Sequence, residues 1–338
     1  MSAKITLGHG SGGKLTQRLI DEVFKPHLRS AALEEADDAA VVSLGNEQLV
    51  ATTDGFTVRP LFFPGGDIGK LAVCGTVNDL VVCGAVPRYL TAAFIIEEGF
   101  ETEKLGRIAA SFSRECHNAR VEVVAADTKV VERGKGDGVF IMVAGIGKLL
   151  DGFSPGAGRI RAGDAVIVSG DIGDHGAAIL LARGELNIQA DIVSDCASLH
   201  DLVLPLLAQF PDAVSFMRDA TRGGLATVVN EIASKTGRHV LLDEERIPVK
   251  PPVEGLCEML GMSPWYLANE GTVVLIVAQE AAEAVLQRLR SHELGRNAAV
   301  IGEVLGREEG QSRVYLQTRS RGRRILDSLV SDQLPRIC

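Results

Sequence analysis

The chain alternates apolar runs with a two-residue period and apolar runs with a helical period, which is the pattern of a mixed α and β protein. In the first half, AAVVSL and QLVATTD flank the turn GNEQ and predict a β-hairpin over residues 39–54. From Asp67 to Ala85, apolar residues follow a helical period that ends at GAVP, which predicts a helix. Strands are predicted at RYLTAAFIIEE, VEVVAADTKVVE and GVFIMVAGIGK, with a second helix over 102–118.

The second half repeats the mixed pattern after a stretch rich in Gly and Pro. That stretch, LLDGFSPGAGRIRAGD, predicts a hinge, and the first domain ends near Lys148. Strands are predicted at AVIVSG, HVLLDEERIPV, TVVLIVA, AAVIGEV and RVYLQT. Helices are predicted to begin near Asp174, Ala197, Gly223, Pro251 and Glu280. The sequence therefore predicts domains over 1–148 and 149–330, followed by a mobile tail over 331–338 that lacks periodicity and contains Pro335.

Length, charge and composition narrow the class of protein. A chain of 338 residues usually forms about two domains, and 46% hydrophobic residues with 37 glycines are typical of an aliphatic, globular α/β protein. The net charge of −9 offers no basic face for nucleic acid. The sequence shows neither a signal peptide nor an apolar stretch long enough to cross a bilayer, so we expect a soluble, cytoplasmic protein.

The six cysteines form no C-x-x-C pair and no spacing of the kind that binds structural zinc, so we expect reduced thiols. Five of them fit small buried apolar positions, namely Cys74, Cys83, Cys116, Cys196 and Cys257. The sixth, Cys338, ends the segment DQLPRIC beside the terminal carboxylate. Taken alone, this position is best interpreted as an idle thiol on a frayed chain end.

Aspartates occupy unusual places in the first half of the chain. Asp37 and Asp38 precede a strand, Asp54 ends a strand, Asp79 interrupts an apolar helix and Asp127 lies inside an apolar strand. A buried carboxylate is costly unless it is paired or binds a cation, so we expect these side chains to converge. Hard oxygen ligands suit Mg²⁺, which commonly holds the phosphates of a nucleotide. Separate roles in caps and turns are the alternative, above all for Asp37.

Two glycine-containing segments have the composition of anion sites. GHGSGGK brings Lys14 close to flexible backbone N–H groups, but it lacks the Walker A spacing, so a disordered start is the alternative. In RDATRGGLATVVNEIA, Arg222, Gly223 and Gly224 precede a periodic helix. A helix N-terminus and a guanidinium would then face the same anion, although an ordinary capped helix explains the same residues.

Two further residues have chemistry suited to a site. Glu270, in ANEGTVVLIVA, stands just before a buried strand, where it is a candidate base or metal ligand, or part of the turn that enters the strand. His175, in SGDIGDHGAAIL, begins a predicted helix, and we favour a positioning or capping role over catalysis.

Eight motifs taken together closely resemble the HypE family of hydrogenase maturation proteins. They span essentially the whole chain, and the C-terminal Pro-Arg-Ile-Cys is the most specific of them. The motifs are GHGSGGK, ADDAAVV, TTDGFTVRPLFFPGGDIGKLAVCGTVNDLVVCGA, ADTKVVERGKGDG, GDIGDHGAAIL, RDATRGGLATVVNEIA, ANEGTVV and PRIC. The wider group to which the chain is similar is the ATP-utilising superfamily of aminoimidazole ribonucleotide synthetase, selenophosphate synthetase and thiamine-monophosphate kinase.

The resemblance implies an α+β, PurM-like fold of two domains. It implies a homodimer in which the N-terminal domains pair across a two-fold axis into a β-barrel with helices outside, a C-terminal α/β sandwich, and ATP in a cleft near the interface. It also implies a flexible C-terminal tail that carries Cys338. Selenophosphate synthetases carry a reactive Cys or selenocysteine in the N-terminal glycine-rich segment, whereas GHGSGGK has none.

The resemblance also implies a reaction at Cys338. A carbamoyltransferase resembling HypF would carbamoylate the thiol, and this protein would dehydrate the S-carboxamide to an S-cyanide with ATP. A HypC–HypD complex would accept the cyanide as a ligand for the iron of [NiFe] hydrogenase. Mg²⁺ would be held by Asp38, Asp54, Asp79 and Asp127. Glu270 is the candidate base, with Lys129 as the alternative.

The motifs and the resemblance together predict further residues that bind ATP. They are Gly12, Gly13, Lys14, Thr128, Arg222, Gly223 and Gly224. The competing functions are another ATP-dependent enzyme of the same superfamily, such as a selenophosphate synthetase or a small-molecule kinase, and a non-catalytic scaffold that carries Cys338 as a thiol handle. Loss of function on mutation of Asp79 would separate the enzymes from the scaffold.

Overall fold

The structure is a computed structural model. It describes residues 4–10, 13–28, 38–153, 156–307, 312–329, 334 and 336–338. Its α-helices are α1 (Lys14–Leu19), α2 (Ile68–Val82), α3 (Thr102–Asn118), α4 (Asp174–Ala182), α5 (His200–Gln209), α6 (Gly224–Thr236), α7 (Pro251–Leu260) and α8 (Ala282–Arg290).

The strands fall into an N-terminal group and a C-terminal group. The first group comprises β1 (Ala40–Leu44), β2 (Glu47–Phe56), β3 (Phe62–Phe63), β4 (Gly66–Asp67), β5 (Ala85–Glu97), β6 (Glu122–Val131) and β7 (Val139–Leu149). The second comprises β8 (Ala165–Val168), β9 (Val214–Asp219), β10 (Val240–Asp243), β11 (Val273–Val277), β12 (Ala299–Val304), β13 (Val314–Gln317) and β14 (Arg323–Ile325).

The N-terminal domain is a five-stranded sheet with helices on one face. The strand order is β1-β2-β7-β5-β6, in which only β5 and β6 run parallel. Helices α2 and α3 cover the inner face of this sheet. Burial alternates along β7, where Val143 is 1% exposed and its neighbour Met142 is 49% exposed. The period of two therefore separates an inner face, packed on helices, from an outer face that remains open in one chain.

The C-terminal domain is a seven-stranded sheet between two apolar cores. The strand order is β14-β13-β10-β12-β8-β11-β9. In β11, Val273, Leu275 and Val277 belong to one core, whereas Val274 and Ile276 belong to the other. A strand that is buried on both faces has apolar residues at consecutive positions. This explains why VVLIV does not alternate between apolar and polar residues. Helices α5 and α8 contribute to the first core, and α6 contributes to the second.

Most elements predicted from periodicity are confirmed. The hairpin forms β1 and β2, and the second helix spans Thr102–Asn118 as predicted. The predicted strand HVLLDEERIPV ends at Asp243, because the side chain of Asp243 accepts from Glu245 N and starts a 3₁₀ turn. The helix expected near Ala197 begins at His200. Strand β9 was not predicted, and the consequence of that omission for the site is given below.

The C-terminal residues that the structure describes lie between the two domains. Leu334 and Ile337 are 6% and 3% exposed and belong to the larger apolar core. Pro335 and residues 331–333 lie outside the described residues, and the mobility of the tail and the limits of the domains stay predictions. Across the described ranges, no helix combines the length and apolarity needed to cross a membrane.

Candidate active site

A cleft between the two domains holds the acidic residues of both. Its volume is about 250 Å³. The N-terminal domain contributes Asp38, Asp54 and Asp79, and the C-terminal domain contributes Asp219, Arg222 and Glu270, with Cys338 at the end of the chain. The candidate groups therefore meet only because the two domains pack together.

Three carboxylates form a cluster in this cleft. One carboxylate oxygen from each of Asp38, Asp79 and Asp219 lies within 4.8 Å of the other two. Asp79 is carried by α2, and Thr52 Oγ1 on the adjacent strand β2 donates to its Oδ2 at 2.8 Å. The neighbouring Asn78 ties α2 to the second domain by donating to the carbonyl of Ala197 at 3.0 Å.

The cluster is electrostatically costly without a cation. Burial raises the pKa of Asp79 well above its ordinary value, and the charges of Asp219, Asp54 and Asp38 raise it further. Burial likewise raises the pKa of Asp219, and Asp38 adds to the effect. Arg218 offsets part of this charge, since its Nη2 lies 2.8 Å from Asp38 Oδ1. The carboxyl groups of this cluster therefore lose their protons readily only when a cation binds to them.

The three carboxylates fit a Mg²⁺ ion. Mg–O bonds are about 2.0–2.1 Å long, so two oxygens on one ion lie at most roughly 4 Å apart, close to the spacing in the cluster. All three donors are hard carboxylate oxygens, which is the ligand type that Mg²⁺ prefers. Of the predicted metal ligands, Asp38 and Asp79 belong to the cluster. Asp54 lies beside it and pairs with Arg222 Nη2 at 3.4 Å.

Asp127 does not join the cluster, which corrects the expectation that the aspartates converge within one chain. Across the sheet, Asp127 pairs in register with Ala93, and Ala93 pairs with Met142 on the outer face. Asp54 pairs with the buried Val143 and therefore lies on the inner face. Side chains in neighbouring rows of a sheet project to opposite faces, so one ion cannot reach both aspartates. Asp37 lies outside the described residues.

Lys129 shares the outer face with Asp127, two residues along β6. Its Nζ lies 2.8 Å from Asp127 Oδ2, and both side chains are well exposed. Thr128 lies between them, and its backbone N donates to Asp127 Oδ1 at 2.8 Å. These three residues do not line the cleft in one chain, and their predicted roles stay predictions.

Residues 222–224 lie where α6 opens onto the cleft. Gly223 and Gly224 have φ of +71° and +58°, a left-handed conformation that favours glycine. A Cβ on Gly224 would overlap the carbonyl of Leu267, and one on Gly223 would overlap the side chain of Thr227. The two glycines are therefore required by the turn itself, whatever anion binds there. Arg222 lines the cleft, as predicted for an anion-binding residue.

The described residues of the N-terminal glycine-rich segment, 8–10 and 13–14, are not part of the cleft lining. Gly12 lies outside the described residues, and Gly13 precedes α1. Lys14 pairs with Asp327 Oδ2 at 2.9 Å, and its backbone N donates to the carbonyl of Leu329 at 3.2 Å. The structure therefore places Lys14 against the C-terminal domain, and the role of the segment in binding ATP stays a prediction.

Glu270 is a buried carboxyl group without a partner at one oxygen. The residue is 2% exposed, and its Oε1 has no hydrogen-bond partner among the described residues. Its backbone N donates to Asp195 Oδ1 at 3.0 Å, and Asp195 Oδ2 accepts from the next residue, Gly271, at 3.1 Å. Burial raises the pKa of Glu270 well above its ordinary value. Such a group is suited to proton transfer because its carboxylate is a strong base.

The thiol of Cys338 lies in the same cleft. Its Sγ accepts a hydrogen bond from Arg222 Nε at 3.1 Å. Burial raises the pKa of the thiol to about 11, and the attraction of Arg222 only partly opposes this rise. The free thiol in this position is therefore protonated near neutral pH. Cys338 is therefore not the idle thiol on a frayed chain end that its position in the sequence alone indicated.

Sequence reasoning missed Asp219, the third member of the cluster. The run AVSFMRD is largely apolar and ends in an acidic residue, as QLVATTD ends in Asp54. Recognition of this run as strand β9 would have placed Asp219 at a strand end.

Comparisons with known proteins agree with this architecture. The family model for the AIR synthase related protein, N-terminal domain, matches residues 36–149, and the model for its C-terminal domain matches residues 161–315. A thiamine monophosphate kinase from Aquifex aeolicus is 17% identical over 93% of this chain and 99% of its own, with a TM-score of 0.64, which shows a shared fold. The predicted two-domain, PurM-like α+β fold is therefore confirmed.

Full-length relatives identify the narrower family. The carbamoyl dehydratase HypE of Rhizobium leguminosarum bv. viciae is 48% identical over 100% of this chain and 96% of its own. A crystal structure of a HypE–HypF complex matches with 45% identity, 92% and 99% coverage of the two chains and a TM-score of 0.86. A HypE structure in complex with ATP matches with 44% identity, 99% and 100% coverage and a TM-score of 0.83. The chain therefore belongs to the AIR synthase related proteins and, among them, to the carbamoyl dehydratase HypE family.

Proposed function

We propose that this protein is an ATP-dependent carbamoyl dehydratase that converts an S-carboxamide on its own Cys338 into an S-cyanide for hydrogenase maturation. The observation that carries the proposal is the position of Cys338 Sγ, which shares one cleft with the carboxylate cluster and with the buried Glu270. A thiol that merely served as a handle for partners would have no reason to lie beside these groups.

The cluster of Asp38, Asp79 and Asp219 is proposed to hold Mg²⁺, which would offset the negative charge of the ATP phosphates. The base and the ribose of ATP need a binding surface in addition to the one that holds the phosphates. A groove of about 310 Å³ runs across the outer face of the N-terminal sheet, past small side chains and Asp127. Thr53 lines both the cleft and this groove, which supports a role for Asp127 in binding the nucleotide.

The reaction needs two phosphate-dependent steps. The carboxamide oxygen attacks the γ-phosphorus of ATP, ADP departs, and one proton is lost from the nitrogen. The C–O bond then breaks, phosphate leaves with that oxygen, the second nitrogen proton is lost and the C≡N bond forms. Carboxamide and ATP thus give thiocyanate, ADP, phosphate and a proton. A poor leaving group has been converted into a good one.

The residues of the cleft have separate roles in these steps. Arg222 holds the sulfur through its Nε and presents its guanidinium to the same cleft, where it suits the transferred phosphate. Glu270 is the proposed base for the nitrogen protons. Its raised pKa makes the carboxylate a strong acceptor, and Arg222 lies close enough for its charge to interact with Glu270. Lys129, on the outer face of the sheet, is the alternative base.

The proposal requires proteins that supply the carboxamide and accept the cyanide. A carbamoyltransferase of the HypF kind is proposed as the donor, and the crystal structure of a related HypE–HypF complex supports that pairing. A HypC–HypD complex is proposed as the acceptor of the cyanide. Both exchanges require the tail to leave the cleft, and the thiol is then accessible to a partner in the cytoplasm.

A homodimer is proposed to bury the outer face of the N-terminal sheet. Several large apolar side chains are exposed there, namely Val42, Leu44, Tyr89, Met142 and Ile146. Pairing of two such faces would close the two sheets into a barrel with the helices outside, and apolar patches of this kind commonly mark interfaces.

Ile146→Arg is expected to convert the dimer into a monomer, because a charge on this face would be desolvated without a partner. Sedimentation equilibrium should give about twice 35.9 kDa for the wild type and 35.9 kDa for the variant. Ile325→Arg is the matched control, since Ile325 is exposed on β14 of the other domain. A monomeric wild type, or a dimer that survives Ile146→Arg, would contradict this interface.

Consumption of ATP tests the proposed function. The full-length protein is incubated with the carbamoyltransferase and carbamoyl phosphate until Cys338 is modified, and is then isolated and mixed with Mg²⁺ and ATP. We expect one phosphate released for each carbamoyl group, and none from the unmodified protein or from Cys338→Ala. Equal ATP hydrolysis by modified and unmodified protein would instead favour a small-molecule kinase or an unrelated ATPase.

A further inference from the structure

The last three residues of the chain lie in a groove that contacts each of them separately. We call this surface the tail groove and define it by Thr57, Arg59, Asp137, His175 and Arg183. We propose that the tail groove is a recognition site for peptides with a free C-terminus that end in Arg-Ile-Cys, and that it binds them in trans as well as in cis. This inference rests on the proposed function, because it names the substrate class of the same cleft.

The backbone of the tail is bound by hydrogen bonds to the segment that follows β2. The carbonyl oxygen of the terminal Cys338 carboxylate accepts from Thr57 N at 2.9 Å and from Thr57 Oγ1 at 3.1 Å. Two residues earlier, the carbonyl of Arg336 accepts from Arg59 N at 3.1 Å. Two residues of the tail are therefore bound through their backbone carbonyls by Thr57 and Arg59. The oxygen that Thr57 binds belongs to the last residue, so the groove holds a chain end.

The side chain of Arg336 is recognised by charge. Its Nη1 makes an ion pair with Asp137 Oδ2, and its Nε donates to the carbonyl of Thr57 at 3.0 Å. The guanidinium also lies 5.7 Å from the centre of the Phe140 ring. A planar cation with several donors satisfies these partners together, whereas a lysine or a neutral side chain would satisfy fewer of them.

Ile337 is recognised by shape and by its carbonyl group. Its side chain is 3% exposed and packs in the larger apolar core. Its carbonyl oxygen lies 2.7 Å from His175 Nε2, so that nitrogen carries the proton. His175 Nδ1 then accepts from Ser194 Oγ at 2.7 Å, while Ser194 Oγ accepts from Cys196 N at 3.0 Å. Burial lowers the pKa of His175 and favours this neutral form, which supports the positioning role predicted for the residue.

The backbone of the bound tail is strained, which makes the tail a ligand that can leave. Arg336 has φ of +58°, in the left-handed region that is unfavourable for residues other than glycine. The guanidinium of Arg183 donates to the Arg336 carbonyl at 3.2 Å and helps to hold this conformation. Contacts with the groove, rather than local preference, therefore keep the tail in place. A peptide that is held in this way does not need a covalent connection to Leu329.

Binding of a labelled peptide tests the inference without catalysis. The full-length Arg336→Glu variant is expected to release its own tail and leave the groove free. Fluorescence anisotropy under reducing conditions should show saturable binding of the peptide SDQLPRIC. At least tenfold weaker binding is expected for the same peptide with Glu in place of Arg, and for the peptide with a C-terminal amide. Equal affinity for the three peptides, or no saturable binding, would overturn the proposal.

A second measurement uses the intact tail. Asp137→Ala should raise the rate of alkylation of Cys338 by iodoacetamide at least tenfold, because the thiol would leave the cleft and ionise more readily. Asp201→Ala is the matched control, since Asp201 makes a surface ion pair with Arg120 at 3.3 Å and has similar exposure to Asp137. Unchanged alkylation in Asp137→Ala would contradict recognition of Arg336 by Asp137.

The same peptide separates this inference from the proposed function. An S-carboxamide form of SDQLPRIC is added with Mg²⁺ and ATP to the Arg336→Glu variant. Saturable binding of the peptide without its conversion to thiocyanate would support recognition by the tail groove and contradict the proposed reaction. If the wild type converts its own tail but the variant does not bind the peptide, the proposed reaction would be supported and recognition in trans would be contradicted.

Discussion

Asp79→Asn is expected to lower the rate of cyanide formation about a thousandfold while the protein stays folded. Asp79 lies within the carboxylate cluster, and the asparagine side chain is nearly identical in shape but carries no charge. Loss of one preorganised group that stabilises transition-state charge commonly costs about 10²–10³ in rate, and the loss of a metal ligand adds to that. The measurement is a single-turnover assay of carbamoylated protein at saturating Mg²⁺ and ATP.

The same variant has an opposite effect on stability. Folding raises the pKa of Asp79 above its ordinary 3.8, so the folded protein binds more protons than the unfolded chain above that pH. Its contribution to stability therefore falls as the pH rises from about 4 towards the raised value. Asparagine does not ionise, so in EDTA the variant should have a higher Tm than the wild type at pH 8, with a smaller difference at pH 5.

Asp212→Asn serves as the surface control for both assays. Asp212 is exposed in the turn before β9 and should change neither the rate nor the Tm. Added Mg²⁺ should raise the Tm of the wild type and of Asp212→Asn more than that of Asp79→Asn. A dehydration rate for Asp79→Asn close to that of the wild type would show that the cluster does not serve the reaction.

Glu270→Gln is expected to lower the rate of dehydration by about 10²–10⁴, the range usual for loss of a general base. Glutamine keeps the shape of the side chain in its buried site and cannot accept the nitrogen protons. Carbamoylation of Cys338 and binding of ATP should persist, because both the sulfur and the carboxylate cluster remain. The measurements are single-turnover kinetics and equilibrium binding of a fluorescent ATP analogue.

Glu283→Gln is a suitable control because Glu283 is exposed on α8 and does not line the cleft. A second readout is accumulation of an O-phosphorylated intermediate, which requires the base for its decay. If Glu270 removes the second nitrogen proton, Glu270→Gln should accumulate more of this intermediate than the wild type. If Glu270 removes the first proton, the variant should form the intermediate more slowly. The affinity for ATP should be unchanged in both cases. A dehydration rate equal to that of the control would assign the base to another residue, with Lys129 as the first candidate.

Periodicity was sufficient for most of the fold but not for the geometry of the site. Both ends of helix α3 were predicted correctly, because one face of the helix is apolar and the other is charged. Asp38, Asp54 and Asp79 were singled out because acids are unusual at apolar positions, and all three line the cleft. The face from which Asp127 projects depends on the pairing of β5, β6 and β7, which is a property of tertiary structure rather than of local sequence.

The same limit explains the other differences. Asp219 ends a strand that is followed at once by a glycine turn, and it meets Asp79 only because the two domains pack together. The interpretation of the C-terminus changed for a similar reason. Its lack of periodicity predicts a tail without secondary structure, whereas binding to Thr57 and His175 depends on two segments far away in the sequence.

The central claim is that ATP drives loss of water from a carboxamide on Cys338. It is tested most directly by mass spectrometry of the C-terminal peptide after carbamoylation with ¹⁸O-labelled carbamoyl phosphate and a single turnover with ATP. The account predicts that the peptide loses the mass of one labelled water and that the ¹⁸O appears in inorganic phosphate. A carboxamide that persists while ATP is hydrolysed, or ¹⁸O that is released into water, would contradict it.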